Sequence, residues 1–381
     1  MSRRVRVGVV GCGLIAQVMH LRHLRELHDR FEVVALCDIA PEPLEFAARL
    51  HPSARRHSDW REMLGESLDT VLVLTPGSHA PVAIAAAELG LHVCVEKPMC
   101  FSTREGAEMV SAADRAGVVL MVGYMKRYDP AYQELERTLD RDALTYARIT
   151  TLEAPFDPYA SHHPLSAPPT PDPDVVAELM ADDAMRLEAA MAAPDPFLLR
   201  AHRTILLDSM VHELNGVRGL LGEPDELHFA RIWGAPSGVT LSATFGGVEA
   251  TFMWIDLPGA PRYAQDWSFY GPDERAALVF PSPLLHGMPT ELVIEGGDRD
   301  GIASWRTERT VSYEEAFKRE LVAFHDAVTE ERDVLTTGVD GLRDVALCEA
   351  IIRSHTDGGP VSRPTDPAAT SMVPAADRPA S

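Results

Sequence analysis

The chain has 381 residues, 46% of them hydrophobic, and 57 acidic against 35 basic side chains leave a formal net charge of −22. A chain of this length buries a core without disulfides or structural metals. A charge this negative repels phosphate backbones and anionic headgroups, which argues against nucleic acid or a membrane surface as the partner.

The elements follow in chain order. Arg3-Arg4 opens directly onto the short apolar run Val5–Val10, without the apolar stretch and small-residue cleavage site of an export signal. That run reads as a strand buried on both faces. A glycine turn comes next, and then a helix over residues 16–28. His20, His23 and His28 on this helix have no metal-ligand spacing and read as a solvated face. A second strand, residues 31–38, ends on Asp38. Further strands over 70–75, 92–96 and 118–122 alternate with helices over 43–51, 80–89 and 103–116. Strands separated by helices indicate a parallel sheet wound on both faces.

The rhythm changes after about residue 128. A helix over 129–140 and a strand over 144–153 precede a Pro-, His- and Asp-containing loop, 155–174, in which His162 and His163 read as plain loop residues. An acidic helix follows over 175–192, with Ala177, Met180, Ala184, Leu187 and Met191 at helical spacing. The next helix, 206–221, is closed by Gly222. Short strands with Gly and Pro turns over 227–309 indicate an antiparallel sheet. Two helices, 313–330 and 339–353, complete the fold, and the Pro/Ala/Ser/Asp-rich stretch from Thr356 is too poor in apolar residues to order itself. The fold class is therefore α/β. It comprises a dinucleotide-binding, doubly wound parallel sheet (1–125), a substrate-binding α+β domain with a large, mostly antiparallel sheet (126–355), and a disordered tail (356–381).

Gly11-Cys12-Gly13-Leu14-Ile15-Ala16 lies between the first strand and first helix, as a dinucleotide fingerprint requires. Gly11 permits the tight turn, Gly13 lets the backbone approach a pyrophosphate, and Ala16 allows close helix–strand packing. The helix N-terminus offers unpaired N–H groups to the phosphates. Asp38 can accept hydrogen bonds from the adenosine ribose hydroxyls and would repel a 2′-phosphate, which favours NAD over NADP.

Lys97, just past a strand's carboxyl end, can hydrogen-bond a substrate oxygen and stabilise alkoxide-like charge during hydride transfer. Asp208 and His212, four apart on a helix, share a face. Histidine suits removal of a hydroxyl proton near neutral pH, and Asp208 could fix its tautomer, hold the ring or contact substrate. Arg127 follows a strand end facing the cleft. With Lys97, Lys126 and Arg203 it supplies the cations an anionic ligand would need. No metal site is expected.

Thr75-Pro76, His79, Glu96-Lys97-Pro98, the stretch from Gly123 to Pro130 with Lys126-Arg127, and Asp208-x-x-x-His212 leading to Leu221-Gly222-Glu223-Pro224 together resemble the Gfo/Idh/MocA oxidoreductases. The resemblance implies that Thr75, Pro76 and His79 line the cofactor site, with Glu96 and Pro98 shaping the turn beside the nicotinamide ribose. It implies an NAD-dependent dehydrogenase or reductase acting on a secondary alcohol or ketone of a sugar, sugar derivative or cyclitol. A homodimer or homotetramer also follows from it. Redox-cycling elimination or epimerisation with tightly bound NAD, and a non-catalytic dinucleotide sensor, are the alternatives. Five scattered cysteines without a C-x-x-C pair fit reduced thiols in a cytoplasm. Two departures from the family pattern leave the substrate open. Arg200-Ala-His-Arg-Thr-Ile205 replaces the usual glycines before the catalytic helix, and the segment 155–199 is unusually long.

Overall fold

The computed structural model describes residues 4–191, 194–260, 262–298, 301–330 and 332–367. Arg3, Ala192 and the tail beyond Pro367 lie outside the described residues.

The first sheet contains β1 (Val5–Val10), β2 (Phe31–Cys37), β3 (Arg55–His57), β4 (Thr70–Val73), β5 (His92–Glu96) and β6 (Leu120–Gly123). All its strand pairs are parallel, in the order β3-β2-β1-β4-β5-β6. Chain order reverses between β1 and β4, the switch point where such sheets open a ligand crevice. Every residue of β4 and β6 is buried, which is why these segments read as continuous apolar runs. A π-helical turn (Ala16–His20) runs into α1 (Leu21–Glu26), followed by α2 (Pro41–Leu50), α3 (Trp60–Met63), α4 (Ala80–Glu88) and α5 (Thr103–Ala116). Helix α5 has local causes at both ends. Ser102 accepts the Glu105 N–H, and Gly117 closes the helix in the left-handed region at φ 64°.

After a 3₁₀ turn (Met125–Tyr128) and α6 (Pro130–Thr138), β7 (Tyr146–Glu153) enters the second sheet. Then come α7 (Asp157–Ala160), α8 (Pro173–Ala189), α9 (Pro196–Ala201), a π-helical stretch (His202–Met210) and α10 (Val211–Leu221). Strands β8 (Glu226–Trp233), β9 (Gly238–Phe245), β10 (Val248–Asp256), β11 (Ala264–Tyr270), β12 (Glu274–Phe280), β13 (Glu291–Gly297) and β14 (Ser304–Thr310) complete the run of strands. Helices α11 (Ala316–Glu330) and α12 (Gly338–Asp357) precede β15 (Val361–Ser362). The order is β14-β13-β12-β11-β7-β10-β9-β8-β15, with β7 and β10 parallel and the other neighbours antiparallel.

Helix α10 lies tight on this sheet, since a Cβ on Gly216 would come within 2.3 Å of the Trp267 ring. Helix α11 follows the second sheet in sequence but packs on the first, its Leu321 and Phe324 joining the core around Val7 and Leu36.

One expectation changes. Residues past Thr356 do not fall away at once, because buried Val361 pairs with Leu227 and extends the sheet edge. Helix α8 forms where the apolar spacing predicts a helix, but that spacing does not line a buried face. Met180 is 67% exposed, and only Leu187 of the helix is buried.

Candidate active site

The glycine turn is built as its sequence requires. Gly11 has φ +94°, and a Cβ there would lie 2.7 Å from the Leu74 carbonyl carbon and the Thr75 nitrogen. Gly13 has nothing within 4 Å of its missing Cβ, so the space over the turn is open for a group that must meet the backbone closely. Asp38 reaches this turn from the end of β2. One carboxylate oxygen accepts the Cys12 N–H (2.7 Å) and the other the Ala40 N–H (2.8 Å). Burial pushes its pKa up, and the two backbone N–H groups oppose that shift. An open glycine cradle with a carboxylate beside it fits the adenosine half of a dinucleotide. The residues that would hold it are Gly11, Gly13, exposed Leu14, half-buried Ile15 and Asp38.

Across the switch point, Thr75 and Pro76 form the loop after β4. His79 is fully buried and its Nε2 bonds the Thr75 carbonyl at 2.6 Å, so it acts on the groove through Thr75. Burial holds its pKa below the usual histidine value. Glu96 also turns inward. Its carboxylate takes the His20 Nε2 at 2.6 Å and the Lys97 N–H at 3.1 Å. Burial alone would raise the Glu96 pKa, but His20 and Lys97 outweigh it and hold it below the ordinary range. This corrects the reading of the first helix. His20 and His23 are each only 1% exposed, because α11 covers that face, with Phe317 edge-on to His20 and Glu315 on His23.

The Lys97–Pro98 peptide is cis, and the Lys97 ammonium is partly exposed. Its Nζ donates to Asp208 Oδ1 (2.8 Å) and to the Asp208 carbonyl (2.6 Å). Asp208 thus holds Lys97, and no hydrogen bond links it to His212 among the described residues. The expected i, i+4 partnership is replaced by one across the cleft, on a backbone that is π-helical up to Met210.

The half-buried His212 ring stands edge-on to Tyr124 at 6.1 Å, and its Nδ1 is buried without a hydrogen-bond partner. Burial, then the positive charges of Lys126 and Lys97, hold its pKa well below the usual value, so the imidazole is neutral at pH 7. A neutral histidine facing a lysine-held oxygen site can take a proton from a hydroxyl.

The four candidate cations diverge. Lys126 stays with the cleft: its Nζ donates to Gln265 and to the Tyr263 hydroxyl (3.4 Å), and burial lowers its pKa. Arg127 does not face the cleft. It is buried with its guanidinium over Tyr132 and 3.8 Å from Asp340, because the chain turns inward along the 3₁₀ turn. Arg203 is also diverted, to Asp183 of α8 (3.1 Å) and the Phe101 ring.

Several site residues carry no local sequence signal. Glu153, at the end of β7, accepts from the Ser209 hydroxyl (2.7 Å), which in turn accepts from Trp254 Nε1 (2.8 Å). Thr151, Glu213 and Gln265 form a buried network leading to Lys126. His202, in the stretch that replaces the family's glycines, donates from Nε2 to the Phe101 carbonyl at 2.8 Å. It thereby ties the π-helical stretch to the loop after Pro98.

Known proteins resemble the chain along nearly its whole length. The family described as "Oxidoreductase family, NAD-binding Rossmann fold" matches residues 5–124, and "Oxidoreductase family, C-terminal alpha/beta domain" matches 290–362. Inositol 2-dehydrogenase 4 of Saccharopolyspora erythraea is 30% identical over 94% of this chain and 95% of its own. The scyllo-inositol 2-dehydrogenase (NAD(+)) of Bacillus subtilis is 24% identical over 98% of this chain and 100% of its own. Among solved structures, a levoglucosan dehydrogenase in complex with NADH and L-sorbose shares the fold. Its TM-score is 0.74 at 18% identity, over 95% of this chain and 99% of that one. The chain belongs to the Gfo/Idh/MocA family and is an NAD-dependent oxidoreductase acting on CH–OH groups.

Proposed function

We propose that the protein interconverts a secondary alcohol and a ketone on a neutral polyhydroxylated ring, a sugar, sugar derivative or cyclitol, with NAD(H). The observation that carries this reading is the bond from Lys97, just past the carboxyl end of a strand of the first sheet, to Asp208, four residues before His212, in the chain that also carries the open glycine cradle. When bound, the nicotinamide supplies the hydride acceptor or donor. In oxidation, His212 takes the hydroxyl proton at Nε2, since Nδ1 is enclosed. Lys97 hydrogen-bonds the reacting oxygen and stabilises its developing charge, while Asp208 keeps the ammonium in place. In reduction the same groups return the proton.

The charge balance supports a neutral substrate. Lys97 is paired with Asp208, and Arg127 and Arg203 are engaged with Asp340 and Asp183. Lys126 is the one of the four without an ion pair among the described residues, and it is buried on Gln265 and Tyr263. Three of these four cations are thus already committed to carboxylates of the chain itself. The names of the inositol dehydrogenase relatives support the same class.

Five free, buried cysteines fit a reducing cytoplasm, and no helix among the described residues is long and apolar enough to cross a membrane. Exposed Phe229 and Trp233 on β8 fit a homodimer or homotetramer, which light scattering tests. The activity itself is tested by following NADH absorbance with a panel of cyclitols and neutral sugars beside their phosphates and uronic acids. Turnover confined to the charged members would overturn the proposal.

A further inference from the structure

Residues 155–191 leave the second sheet and return over the first domain. Both ends are anchored in apolar packing. Ala160 and Tyr159 sit with Val18, Met19 and Phe317, while Leu187 and Met191 join the main core. Between these anchors the segment buries almost nothing. Leu165, Val175, Leu179, Met180 and Met185 are all exposed.

What holds the middle is polar and falls on the two walls of the dinucleotide groove. On the glycine-turn side, Gln17 donates to the Cys12 carbonyl (2.8 Å) and to the Ser166 hydroxyl (3.2 Å), and the Ser166 N–H returns to Gln17 (2.8 Å). Four residues on, the Thr170 N–H donates to Glu42 (2.9 Å) and its hydroxyl bonds the same carboxylate, just past Asp38. Helix α8 then crosses to the opposite wall. There the Asp183 carboxylate accepts the Ser78 N–H (3.4 Å) and fills the space in which a Cβ on Gly77 would sit, 2.4 Å away. Arg186 binds Glu105, which accepts from the Ser78 hydroxyl. Asp183 and Asp182 are paired with Arg203 and Arg186, so these two carboxylates do not present bare negative charge to the groove.

We propose that residues 161–186 form a strap across the dinucleotide groove, docked through Ser166 and Thr170 on one wall and Asp183 on the other, and that NADH leaves only when this strap undocks. The proposal rests on the assignment of the groove to NAD. Firm apolar ends and a middle held by a few hydrogen bonds are what a segment needs to open without unfolding the domain. The strap also accounts for Arg203, whose guanidinium serves α8 and not the substrate. NADH release, gated by the strap, then sets the turnover rate.

The test is the NADH dissociation rate by stopped-flow fluorescence for the wild type and for Ser166→Ala/Thr170→Val. A rise of tenfold or more in the variant supports the strap, and an unchanged rate overturns it. Should the variant fail to fold, hydrogen exchange of the wild type decides. Slower exchange in 161–186 on adding saturating NADH supports the strap, and equal exchange overturns it. Failure of the wild type to bind NADH at all would instead refute the groove assignment, a result separable from both.

Discussion

The floor of the dinucleotide groove and the segment that crosses its roof are built in opposite ways. The floor is β1, β4, β5 and β6, wholly or almost wholly buried, with glycines admitted where a side chain would collide. The roof is α8, with one buried residue among seventeen and ties made through side-chain oxygens. Rigid burial under the chemistry holds Lys97 and the cradle to a fixed geometry. A lightly held roof leaves the cofactor a route in and out. Stability and exchange are thus assigned to different parts of the chain.

Substitutions in the two regions should therefore differ sharply. The largest effect is expected at Lys97. Its change to Ala should lower kcat/KM for polyol oxidation by roughly 10²–10³-fold, the usual loss of one charge-stabilising donor. NADH binding, followed by fluorescence titration, should remain. Next comes the floor's buried pair. His20→Ala leaves Glu96 without its 2.6 Å partner and should cost about 2–4 kcal/mol in chemical denaturation. Gly11→Ala should cost about 1–3 kcal/mol, from its positive φ and its contact with the Leu74–Thr75 backbone, and should weaken NADH binding as the turn shifts. The smallest effect belongs to the roof. Met180→Ser, at a side chain 67% exposed, should change stability by no more than about 0.5 kcal/mol. A loss as large as that of His20→Ala would erase the distinction between floor and roof.

Acid should weaken the fold at α10 as well. His212 has a pKa below that of a free histidine, so the unfolded chain binds a proton that the folded chain refuses. Its contribution is neutral above about pH 6.5 and turns destabilising as pH falls below that value.

Legibility in the sequence follows the range of the contacts. The glycine turn, Asp38 and the Glu96-Lys97-Pro98 run are local signals on strand ends, and periodicity carries the βα alternation. Partners distant in the chain carry no such signal. Glu96 and His20 are 76 positions apart, so a histidine that looked solvated proved to be the buried mate of a motif glutamate. Gln17 and Ser166 are 149 apart, so nothing in the 155–199 segment announced that it lies across the groove. The sequence marks Asp208 as a candidate but does not reveal its partner. Spacing along a helix pointed to His212, whereas the fold brings in Lys97 from β5. Apolar spacing marked α8 as a helix but said nothing of its burial, and most of the regularly placed residues face solvent.

The most direct test is the pH profile of kcat/KM for polyol oxidation in the wild type and in His212→Asn. A general base at His212, kept neutral by burial and two nearby ammonium groups, places the wild-type acid limb below pH 6.5. The variant should be roughly 10²–10⁴-fold slower and lack that limb. A variant with wild-type rates and the same acid limb would contradict the assignment of the proton to His212.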